Sequence, residues 1–135
     1  MIVASPLKNS NFATAICGSS DIVGDLLHIN GDIAGADYQT EKADPINNKM
    51  PAIAVIIYKI TTTKCVIQFE GNVNGVYTGL TAGKTYYVDS TGRPALTPPS
   101  APMSGKAYVQ PIGVAVDANV LKLGPSKQMI ILRNP

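Results

Sequence analysis

Glycine and proline recur so often along this chain that no stretch can sustain a long helix. Twelve glycines and ten prolines punctuate 135 residues, and no run keeps a 3.6-residue apolar period for three turns without meeting one. Between them lie short runs rich in Val, Ile, Thr and Tyr, side chains that fit a pleated surface while Gly and Pro shape its corners. The expectation is an all-β protein. About eight short strands would make a compact small barrel or a sandwich, the two ways a small β chain covers its core. Residues 1–17 read as an N-terminal arm whose order depends on a neighbour, and residues 18–135 as a single β domain.

Individual strands are read from alternation. DIVGDLLHIN at 21–30 is the first, ended by the Asn-Gly pair of HINGD, a strong turn signal. Residues 33–51 form a polar excursion, long enough to need local structure or a packing partner. IAVIIYKI at 53–60 reads as a central strand buried on both sides, and CVIQFEG at 65–71 as its half-wet hairpin partner. NVNGVYTGL adds an Asn-Gly turn and a short strand. TYYVDS at 85–90 puts Tyr86 and Val88 on one face, and 104–117 is a strand interrupted by a bulge or edge at Pro111. VLKLG and QMIILR form a last hairpin-like pair around Pro125.

Composition narrows the function. Apolar residues make up 45% and charged residues only 15%, so the chain can build a core but finishes its surface with few charges, which opposes association weakly. Net charge is +2 without a basic cluster, which argues against nucleic acid and against a membrane surface as partners. The N-terminus lacks the apolar run and basic opening of a secretion signal. Cys17 and Cys65 have no metal-like or redox spacing. They are expected as buried free thiols in a protein made in a reducing cytoplasm, with one disulfide as the alternative.

No catalytic, cofactor-binding or metal-binding residue is expected. The letters GKT at 83–85 suggest a phosphate loop, but the first glycine that such a loop requires would fall on Thr78, and TYYVD, a strand, follows where a helix is needed. His28 is the only histidine and reads as a surface or interface residue. Glu70 and Asp89 could pair for glycoside hydrolysis, yet no tryptophan platform accompanies them. Asp32, Asp37 and Asp44 miss calcium-loop spacing and read as turn and cap residues. Six tyrosines against two phenylalanines favour contact surfaces, since a tyrosine joins apolar area to a polar tip. Phe12, Tyr38, Tyr77, Tyr87 and Tyr108 are the interface candidates, with Tyr58 assigned to packing.

GLTAGKTYYV, TGRPALTPP and VQPIGVAVDANVLKL, with ADYQTEKADPINNKMPAIAVI before them, together resemble a small β domain of tailed-bacteriophage virion proteins. The similarity spans residues 21–133, and PIGVAV also resembles the ending of capsid decoration, or cement, proteins. The resemblance implies a non-enzymatic virion protein on the capsid surface. It would bind and stabilise the major capsid protein shell as a homo-oligomer, most concretely a trimer, with its N-terminal arm on the capsid. The alternative is a tail or head fibre component that binds a host surface or carbohydrate.

Overall fold

The computed structural model describes residues 11–134, so residues 1–10 of the expected arm lie outside it. Every regular element in the described part is a strand. β1 (Phe12–Ile16), β2 (Leu26–Ala34), β3 (Asp37–Lys42), β4 (Ala54–Lys59) and β5 (Lys64–Gln68) close into a barrel in the order β1-β3-β2-β4-β5. β6 (Gly71–Asn74), β7 (Thr85–Val88), β8 (Pro94–Ala95), β10 (Pro111–Asp117) and β11 (Val120–Leu123) form a sheet ordered β6-β11-β10-β7-β8. β9 (Lys106–Val109) and β12 (Ile130–Arg133) pair as a separate ribbon. The strands thus number twelve among the described residues rather than about eight.

Residues 12–16 are barrel wall, a correction to the expected arm. β1 runs parallel to β3 and antiparallel to β5, closing the ring. The alternation of FATAIC explains it: Ala15 and Cys17 turn inward and are buried, small enough to fit a narrow interior.

The expected strand at 21–30 begins only at Leu26. Upstream, Asp21 accepts the Gly18 N–H at 2.7 Å and Asp25 accepts the Ile22 N–H at 3.0 Å, two local bonds that compete with a ladder. Downstream, Asn30-Gly31 is no turn. β2 runs through it, with register shifts against β3 between Ile29 and Gly31 and between Gly31 and Ala34. Such bulges bend a strand as barrel closure demands. The chain reverses at Gly35–Ala36, where Gly35 has φ of 63°, so much of the polar excursion is β3. A loop bridged between Asp44 and Lys49 follows.

β4 and β5 form the expected hairpin. Only the first half of β4 is buried on both sides, however, and Tyr58 is 62% exposed rather than packed. A register shift between Ile56 and Tyr58 accompanies the change. The bulge expected at Pro111 is present, between Pro111 and Gly113. β11 and β12 are not a hairpin: β11 pairs with β10 and β6, and β12 with β9. Gly124 and Ser126 donate their N–H groups to Ile112 and Pro111 carbonyls at 2.8 and 2.9 Å, which carries the chain past β10 instead of reversing it.

Two cores result, and neighbouring residues divide between them. Leu27, Ala54, Ile56, Cys65 and Ile67 fill the barrel. Leu26 and Val55 point the opposite way, as successive strand residues must. They pack with Val73, Tyr86, Val88, Ile112, Leu121 and Leu123 from the five-stranded sheet.

Candidate interaction surface

The ribbon carries the most unusual surface. β9 is anchored: Ala107 and Val109 are buried, and the Tyr108 N–H donates to Pro45 O at 3.0 Å. β12 lies along β9 with Ile130 opposite Val109 and Leu132 opposite Ala107. All four of its residues are exposed, Ile130 at 64%, Ile131 at 44% and Leu132 at 40%. No described strand pairs with its other edge. An edge of this kind is normally blunted by charge, proline or a bulge. Here Arg133 is the only charge on the strand, so both aliphatic side chains and backbone groups are open to a partner.

A second apolar patch lies on the barrel. Ile22, Val23 and Ile60 line an open groove of about 620 Å³, with Tyr58 exposed close by in sequence. Lys59 also lines it, but its ammonium is held by the carbonyls of Gly18, Asp21 and Thr62 at 2.8–3.1 Å. The groove is therefore apolar in character rather than cationic.

Of the five aromatic residues chosen from sequence, four sit on four different strands and Tyr77 lies in the segment between β6 and β7. Phe12 is exposed on β1. Tyr38 is half-buried on β3 and meets Phe69 edge-on, with ring centroids 5.3 Å apart. Tyr87 is half-buried on β7, and Tyr108 half-buried on β9 beneath the Lys106 ammonium, 5.3 Å from its ring centre. Tyr77 faces inward: it is buried, donates its hydroxyl to Gly24 O at 2.7 Å and lies under the Arg93 guanidinium. Burial pushes its phenol well above the ordinary tyrosine range. Arg93 in turn binds the buried Asp25 carboxylate at 3.0 Å, which joins the barrel to the second sheet. Asp89 accepts from the Thr91 and Arg93 N–H groups and shapes its own turn.

The other candidates are structural in their contacts. Gly83, with φ of 83°, makes the Ala82–Gly83 turn that feeds β7, and Lys84 N–H donates to Thr81 O at 3.2 Å. His28 Nδ1 lies 3.1 Å from Pro51 O, and Nε2 lies 3.8 Å from Glu41, its cross-strand neighbour. Asp37 accepts the Thr14 hydroxyl and pairs with Lys64 at 3.4 Å; the Thr14 bond leads the forces that hold its carboxyl below the usual range. Asp44 caps its own loop by accepting the Ile46 and Asn47 N–H groups. Burial pulls its carboxyl up, but those bonds outweigh it and the net shift is down. Cys17 and Cys65 are both free and buried. Among the described residues no group of three His, Cys, Asp or Glu could hold a metal ion, and no helix is long and apolar enough to cross a membrane.

Sequence reasoning missed the exposure of β12. Its signal was present in QMIILR, where three successive aliphatics replace the apolar-polar alternation of a half-buried strand. It also missed Gln110, which is fully buried and holds the backbone on both sides of it. The chain matches no protein-family description, and neither curated proteins nor solved structures gave a match.

Proposed function

We propose that this protein is a structural component of a bacteriophage virion, most concretely a capsid decoration protein that binds neighbouring major capsid subunits and stabilises the shell. The observation that carries this reading is β12, an unblunted edge strand with three aliphatic side chains open to solvent. A shell subunit would add a strand to that edge, gaining backbone hydrogen bonds for affinity and side-chain pockets for register. Burial of Ile130, Ile131 and Leu132 would then supply the apolar term. The low charge of the surface supports a life spent in contact with other proteins, and the sequence resemblance to virion β domains points the same way. The homo-oligomer expected from that resemblance, a trimer on the shell, belongs to the same proposal.

The test is to add purified protein to shells that lack it and follow binding and thermal rupture. Binding with a rise in rupture temperature supports the reading. Absence of binding, with unfilled shells as heat-resistant as filled ones, overturns it. Loss of host adsorption without any change in shell stability would move the protein to a tail or head fibre instead.

A further inference from the structure

Cys17 and Cys65 sit closer to a chemical relationship than their separation in sequence suggests. On the β1–β5 ladder Ala15 is opposite Cys65 and Ile16 is opposite Lys64. The bond from Cys17 N–H to Thr63 O at 2.9 Å extends that ladder by one step. Cys17 therefore lies diagonal to Cys65 and on the same face, inside the barrel, within one buried cluster.

Their surroundings differ. Cys65 has no exposed surface, and burial pushes its thiol up, away from thiolate. Cys17 lines a surface cleft of about 480 Å³ together with Ile16, Gly18, Asp21 and Thr40. Diagonal partners lie about 7–8 Å apart at Cα, while a disulfide spans up to ~6.8 Å. Cys17 is the first residue beyond β1 and precedes Gly18, so an inward shift on the order of 1 Å there closes the gap.

We infer that Cys17 and Cys65 form a latent oxidation site that locks the seam of the barrel when the protein meets a low-molecular-weight disulfide. The Cys17 thiol, entered from the cleft, gives up its proton and attacks one sulfur of the oxidant. That breaks the oxidant's S–S bond, releases one small thiol and leaves a mixed disulfide on Cys17. Cys65 then loses its proton and attacks the Cys17 sulfur, releasing the second small thiol. The protein loses two protons and two electrons, and the oxidant takes them up to become two thiols. The bond would tie the end of β1 to β5 and close a long loop of the unfolded chain.

The experiment incubates the whole native protein with oxidised glutathione and reads intact mass, a peptide map and the melting temperature. The inference expects a mass lower by two hydrogens, one peptide joined through Cys17 and Cys65, and reversal by dithiothreitol. The melting temperature should rise by on the order of 10 °C. Cys65→Ser should stop with one glutathione on Cys17, and native Cys17→Ser should stay unmodified. A wild-type protein that reacts only after unfolding in urea overturns the inference. So do crosslinks between two chains, or modification of Cys17→Ser as fast as wild type. The wild-type map alone decides the matter if a variant does not fold.

Discussion

Gln110→Ala probes the residue that ties the segment before β4 to the segment before β12. The side chain is fully buried. Its Oε1 accepts the Ala52 N–H at 2.9 Å, and its Nε2 donates to the Ala52 and Ser126 carbonyls, both at 2.9 Å. Truncation leaves the N–H and C=O of Ala52, itself buried, without partners, at about 1–3 kcal/mol each. The Ser126 carbonyl is near the surface, so water can take over that bond at smaller cost. With the lost packing, the expected total is about 4 kcal/mol, or a fall in melting temperature of roughly 15 °C for a domain of this size. Circular dichroism during thermal and urea unfolding measures it. Gln110→Glu should be at least as damaging at neutral pH, because a carboxylate keeps the acceptor, loses both donors and buries a charge. Ser126 is gripped by Gln110 and by Pro111, whose carbonyl takes its N–H, and it lies just before β12. Amide exchange in Gln110→Ala should therefore speed up at residues 130–133 more than in β4. A loss below about 1 kcal/mol, with β12 exchange unchanged, would refute the clamp.

Tyr77→Phe removes only the hydroxyl that Gly24 O accepts and should cost about 1–2 kcal/mol in chemical denaturation; no loss would mean that the bond does not hold the barrel to the sheet. The carboxyls of Asp37 and Asp44 are both held below their ordinary range in the folded protein. Their contribution is therefore complete above the unfolded carboxylate pKa of about 3.9 and is lost as pH falls through the folded values. Melting temperature should drop as pH falls below about 4, and Asp44→Asn should flatten part of that drop. A flat or rising profile contradicts the assignment.

How much of this was legible depends on whether the deciding force is local. The β4–β5 hairpin and the Tyr86/Val88 face follow from alternation over a few residues, and the structure has both. So does the break at Pro111, a consequence of one missing N–H. The misreadings are non-local. Asn30-Gly31 has the chemistry of a turn, but β3 pairs across it and the pair becomes a bulge. Residues 12–16 look like a tail until β5 and β3 flank them. QMIILR was rightly a strand, but its partner is set by the Gln110 and Pro111 contacts at Ser126, which no local pattern announces. Of the aromatic candidates, Tyr77 is a buried tether, because its hydroxyl finds Gly24 O far along the chain, while exposed aliphatics gather on β12.

The central proposal is that β12 is the docking strand of a shell protein, and Ile131→Lys tests it most directly. Ile131 is already exposed, so the variant should fold with a stability within about 0.5 kcal/mol of wild type. Affinity for shells lacking the protein, measured by co-sedimentation, should fall at least tenfold, since a desolvated lysine in that contact costs ~1.4 kcal/mol or more. The rise in rupture temperature should vanish with it. Unchanged binding and unchanged shell stabilisation by Ile131→Lys would contradict the account.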